Sequence, residues 1–202
     1  MSNESKSSTG IVLVDFINEI VDPKGKLAGK GYSAFTDKHG TLDNVRKLLS
    51  HGREHGFPIV HVRIGFSAAY SEHPALSPLF GGAKKFGALQ LGTWATEFHP
   101  KASPLPNEPV LTKHRVSAFY GTPLDVILRA NGIHEVLICG VATDLAVQAA
   151  ARDAHDRDYV VTVVSDCCGA ASDEDHETSL RVLAKIGAVK SLSEIGGGVP
   201  VS

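Results

Sequence analysis

Ile11-Val-Leu-Val-Asp15 sets four branched apolar side chains in a row and then stops at a carboxylate. Successive residues of a strand point to opposite faces, so a strand that is apolar at every position reads as buried on both sides, the pattern of a parallel sheet. The pattern recurs in Pro58-Ile-Val-His-Val-Arg63, Pro109-Val-Leu-Thr-Lys113, Val136-Leu-Ile-Cys139 and Tyr159-Val-Val-Thr-Val-Val164, with Ala188-Val-Lys-Ser-Leu192 as a weaker sixth strand. Helical spacing fills the gaps. Leu42, Val45, Leu48 and Leu49 share one face, and Pro123 opens a helix that stops at Asn131-Gly132. A small-residue segment runs from Ala146 to His155, and Ser172 starts a helix with acids in its first turn and Leu180, Leu183 and Ile186 inward. The chain therefore reads as one α/β domain over residues 9–195. Residues 1–8 read as a frayed N-terminal tail and 196–202 as a loose C-terminal one.

Two stretches break the pattern. Residues 22–40 carry Asp-Pro, four glycines and scattered charge, and read as a long loop for substrate or subunit contacts. Residues 65–106 scatter Phe66, Tyr70, Phe80, Phe86, Trp94 and Phe98 among Gly, Pro and His, and read as a lid or pocket wall. A net charge of −2 gives no electrostatic case for nucleic acid or an anionic membrane, and no apolar run nears the ~20 residues of a membrane span. The reading is a cytoplasmic protein. Of three cysteines none has a C-x-x-C partner, and the histidines sit in no short ligand motif, so the thiols read as structural and no metal is expected.

Ligands of open α/β sheets bind beyond the carboxyl ends of the strands. Asp15, Arg63 and Lys113 each end a strand there. A fourth strand leads through Gly140 into a helix start, where Thr143 or Asp144 offers an N-cap oxygen and the free amides near 142–146 can hold negative charge. Plainer readings stand beside these: Asp15 as a turn cap, Arg63 as a loop-pinning guanidinium, 139–148 as an ordinary connection. An acid and an ammonium together can move a proton and stabilise an anion, but they supply no nucleophile. The residues alone reach a hydrolase-like site and stop.

Val12-Leu-Val-Asp15-x-x-Asn18, Thr112-Lys113 with Ser117-Ala118-Phe119, Gly140-Val-Ala-Thr-Asp144 and Val164-Ser-Asp166 together resemble the isochorismatase-like cysteine hydrolases, over residues 10 to 193. The order and spacing of four motifs carry the resemblance. It implies a three-layer αβα sandwich with a six-stranded, mainly parallel sheet of Rossmann-like topology, no cofactor, and a homodimer or homotetramer. The amidohydrolase branch uses an Asp, Lys, Cys triad. The resemblance places the first two on Asp15 and Lys113, and the cysteine on Ala146, in Gly140-Val-Ala-Thr-Asp-Leu-Ala146. It also implies an oxyanion hole from the backbone N–H groups of Ala142 and Ala146, and a non-proline cis peptide between Val141 and Ala142.

A methyl group cannot attack a carbonyl, so three explanations of Ala146 stay open. The chain is an amidohydrolase of small amides or ureides inactivated by a Cys-to-Ala replacement, or a cysteine-less member that protonates a vinyl ether as isochorismatases proper do, or a non-catalytic binding protein. Ile17 departs from the common Asp-x-Gln-Asn pattern. The absence of Asp-x-His after Arg63 also sets the chain apart from the metal-bearing nicotinamidases. Arg63, Phe66, Trp94, Phe119, Tyr120 and Val141 are the expected substrate contacts.

Overall fold

The computed structural model describes residues 7–195. Six strands form one sheet: β1 (Thr9–Val14), β2 (Ile59–Ile64), β3 (Val110–Lys113), β4 (Glu135–Val141), β5 (Val160–Gly169) and β6 (Ala188–Lys190). They lie in the order β3-β2-β1-β4-β5-β6, every pair parallel. The α-helices among the described residues are α1 (Asn18–Val21), α2 (Tyr32–Lys38), α3 (Thr41–Glu54), α4 (Ala83–Phe86), α5 (Leu124–Ala130), α6 (Gln148–His155), α7 (Asp173–Leu183) and α8 (Leu192–Ile195). The six-stranded parallel sheet flanked by helices is the architecture that the motifs imply.

β1 is the central strand, and Ile11, Val12, Leu13 and Val14 are all buried. Each such side chain contributes about 1.5–3 kcal/mol on leaving water. From β1 the chain builds outward through β2 and β3, then returns to the other side of β1 as β4. That reversal opens a crevice between the carboxyl ends of β1 and β4. At the same place Gly140 lets the strands close up, because a Cβ there would lie 2.6 Å from the Val14 carbonyl oxygen.

Four expectations need correction. β5 does not end with the apolar run at Val164 but continues through Asp166 to Gly169, because a register shift between Ile138 and Gly140 lets β4 pair with Cys168 and Gly169. The 22–40 stretch is not all loop: Phe35 and Thr36 are buried, and packing holds α2 together despite its short apolar pattern. Neither Thr143 nor Asp144 caps a helix; the position before the turn is Ala142, without a side-chain bond. Ser8 is not frayed, since its carbonyl accepts the N–H groups of His134 and Glu135. The expected tails at 1–6 and 196–202 lie outside the described residues.

Candidate active site

Asp15 follows β1 directly, with a positive φ of 62°. That left-handed conformation is rare for residues other than Gly, Asn and Asp. Its Oδ1 accepts the Ile64 N–H at 2.6 Å. Its Oδ2 lies 2.7 Å from Lys113 Nζ. Ile64 and Lys113 are register partners, so the lysine reaches across the end of β2 to the end of β1. Lys113 Nζ also donates to the carbonyls of Arg115 (3.2 Å) and Val116 (2.8 Å). All three ammonium protons thus have acceptors, and the lysine has none left for a ligand. Burial raises the Asp15 pKa, opposed by the Lys113 charge, its hydrogen bond and the Ile64 N–H.

Beyond β4, the Val141–Ala142 peptide is cis. The next five residues, Thr143–Val147, form a π-turn in which the N–H groups of Leu145 and Val147 both reach the Ala142 carbonyl, at 3.2 and 3.1 Å. The Ala142 N–H has no acceptor among the described residues. Thr143 pins the turn: its hydroxyl bonds the Gly169 carbonyl at 3.0 Å and His176 Nδ1 at 2.9 Å. A hydroxyl has one proton, so donation to Gly169 requires His176 Nδ1–H to donate to the threonine. Burial lowers the His176 pKa, which suits that neutral tautomer.

Asp15, Lys113, Val141, Ala142 and Ala146 line one cleft of about 610 Å³. Three separate strand ends therefore meet at a single cavity, and Ala146, 4% exposed, is on its lining. The walls are apolar, from Leu27 and Tyr32 on one segment and Leu79, Phe80, Phe86 and Leu89 on another. The sequence located both stretches and named Phe80 and Phe86 among the aromatics of the second, but did not single out Leu27, Tyr32, Leu79 or Leu89, because neither stretch has a period from which side-chain direction follows.

Of the expected substrate contacts, only Val141 lines the cleft. Arg63 sits one residue before Ile64, and alternation along β2 sends it the other way. Its guanidinium bonds the Thr96 carbonyl at 3.1 Å and lies over Phe98. Phe66 is fully buried against Tyr70, His73, Phe80 and His114. Phe119 packs on Tyr159 under Arg157. Trp94 is 44% and Tyr120 67% exposed, both away from the cavity. Other motif residues serve as ties. Asn18 Nδ2 holds the Trp94 carbonyl at 3.0 Å, the Ser117 hydroxyl bonds Asp153, and Asp166 accepts the Leu192 N–H at 2.8 Å.

The sequence profile of the Isochorismatase domain matches residues 9–194. The chain belongs to the isochorismatase family. It is 30% identical over 190 residues to the uncharacterised isochorismatase family protein YecD of Escherichia coli O157:H7, covering 93% of this chain and 94% of that one. The ureidoacrylate amidohydrolase RutB of Variovorax paradoxus is 27% identical over 172 residues, covering 79% and 68%. Among solved structures, the N-carbamoylsarcosine amidase of Thermoplasma acidophilum superposes with a TM-score of 0.72 at 30% identity, covering 91% and 96%. The isochorismatase-family chain described here is thus similar to hydrolases that act on amides.

Proposed function

We propose that the cleft is an amidohydrolase site for a small amide or ureido compound, of the thioester type, in which position 146 is the seat of the nucleophile. The observation that carries this reading is that Ala146 opens into the cavity that holds the Asp15–Lys113 pair. The likeness to two amide-cleaving relatives supports it. With alanine at 146 the chain keeps the acid–base pair and the binding cavity, and lacks the atom that attacks.

With a thiol at that position, Asp15 takes its proton while Lys113 holds the carboxylate in place. The thiolate attacks the carbonyl carbon, and the electron pair moves to the carbonyl oxygen, held by the N–H groups of residues 142 and 146. As the pair returns, the C–N bond breaks, and Asp15 passes its proton to the leaving ammonia or amine. Water then adds to the thioester, giving a proton back through Asp15 to the sulfur. The test is Ala146→Cys, assayed for ammonia release across small amides and ureides. Release by the variant and not by the parent chain supports the reading. Silence of a folded, ligand-binding variant across the panel refutes it and leaves a binding protein.

A second reading has its own support. Burial raises the Asp15 pKa, a shift toward the protonated form, and an acid so biased with no thiol beside it suits protonation of a vinyl ether. Isochorismate cleavage by the unaltered chain, abolished by Asp15→Asn, would establish that reading instead.

A further inference from the structure

The cleft has one acid on its lining, Asp15, already paired with Lys113. The other charges on the lining are two lysines, Lys26 and Lys30, both on the segment between α1 and α2. Their circumstances differ. Lys26 Nζ donates to the carbonyls of Phe86 (3.1 Å) and Gly87 (2.6 Å), and so ties its segment to the end of α4. Lys30 is exposed, and its ammonium has no hydrogen-bond or ion-pair partner among the described residues. An unpartnered lysine on a convex surface is ordinary. One on the rim of a largely apolar cleft, whose lining among the described residues carries no acid beyond the paired Asp15, adds an uncompensated positive charge to that cleft.

The segment that carries Lys30 is fastened on both sides. Glu19, 1% exposed, accepts the Leu89 N–H at 3.1 Å on one carboxylate oxygen and the Lys26 N–H at 3.4 Å on the other. That single buried side chain joins the two walls of the cleft. Just beyond Lys30, Gly31 has a φ of 102°, and a Cβ there would lie 2.3 Å from the Ala171 carbonyl oxygen. Only glycine allows so close an approach in that conformation. Lys30 therefore stands on backbone held at Lys26 and at Gly31.

We propose that Lys30 reads a compact anionic group on the ligand, a carboxylate being the simplest, while the rest of the ligand lies against the apolar walls toward Ala146. The ligand class is then a small amide or ureide with a negative charge at the end remote from the scissile carbonyl. The inference rests on the cleft being the binding site, as in the proposed function, but not on the thioester chemistry.

The test uses the unaltered chain and a matched pair: N-carbamoyl-β-alanine, which ends in a carboxylate, and its primary amide, which is neutral. Calorimetry should find the acid bound roughly threefold to tenfold more tightly at low salt, a margin that narrows as salt is added. Lys30→Gln should bring the acid down to the affinity of the amide, while Lys30→Arg retains the preference. Lys24→Gln, a neighbouring lysine that is not on the cleft lining, should leave the preference intact. Far-ultraviolet circular dichroism confirms that each variant is folded. Equal binding of the pair, a preference that survives Lys30→Gln, or no binding of either compound overturns the proposal. An anion preference lost in Lys30→Gln, in a protein whose Ala146→Cys form releases no ammonia, would keep the subsite and discard the thioester reading. Turnover by Ala146→Cys without any preference for the acid would do the reverse.

Discussion

Asp15 and Glu108 are both inward-facing carboxylates held by a cation, with side chains 5% and 8% exposed, yet their pKa values move in opposite directions. Glu108 accepts four hydrogen bonds: from Arg53 Nε (2.8 Å) and Nη2 (2.9 Å), the Leu105 N–H (2.8 Å) and His61 Nε2 (2.9 Å). Burial is the largest single influence and pushes its pKa up, but the donors together outweigh it and hold the group below its ordinary value. Asp15 has two donors, Ile64 N–H and Lys113, and burial wins. Glu108 locks α3, β2 and the 103–108 loop together, and its donors leave it little remaining acceptor capacity. Asp15 keeps acceptor capacity and lines a cleft. Burial of a charge does not by itself mark a reactive site; incomplete satisfaction beside a cavity does.

The sharpest way to break this contrast is Glu108→Gln. It turns an anion with four donors, one on Oε1 and three on Oε2, into an amide whose own N–H₂ must meet at least one of them, and leaves Arg53 without its charge partner. Urea unfolding should show a loss of about 3–5 kcal/mol, with ligand affinity at the cleft unchanged in the folded protein. A large affinity loss with little destabilisation would reverse the roles assigned to the two carboxylates. A smaller effect, about 1–3 kcal/mol, is expected of Thr143→Val, which keeps the side chain's shape and removes the hydroxyl held between Gly169 and His176. Here stability and ligand affinity should fall together, because that hydroxyl holds the turn that carries Ala146.

The smallest effect is a difference in slope. The Asp15 pKa lies above 3.8 in the folded state, so from 3.8 up to that raised value the native protein binds more protons than the unfolded chain. Asp15 therefore costs stability as pH rises through that window, by at most about 1.4 kcal/mol per pH unit. The Glu108 pKa lies below 4.5, so its contribution is full above 4.5 and is lost as pH falls toward the folded value. Unfolding free energies measured from pH 3 to 7, each compared with Asp15→Asn or Glu108→Gln, should give difference curves of opposite sign. Parallel curves would mean that the two environments are electrostatically alike.

The sheet was legible because a strand buried on both faces leaves an unbroken apolar run, as at Ile11–Val14. Asp15 and Lys113 were legible as polar residues placed where such runs end. Arg63 shows the limit of that signal: it ends its run equally well, but a one-residue difference in a two-residue period turns it away, and the Ile64 backbone N–H takes the place at Asp15. Phe119 and Trp94 were misplaced for a related reason, since an aromatic in an irregular segment gives no direction. The Lys26–Lys30 segment was seen only as a loop, because the contacts that fix it come from Glu19 just before it and from Phe86 and Ala171, distant in sequence, and follow no pattern.

Intact-mass spectrometry of Ala146→Cys, quenched during turnover of a small amide or ureide, tests most directly whether Asp15, Lys113 and position 146 act on one ligand. The account predicts an adduct with the mass of the substrate's acyl portion, located on the introduced thiol and absent when Asp15→Asn is added. A variant that folds and binds the same ligand, yet shows neither adduct nor ammonia, would contradict it.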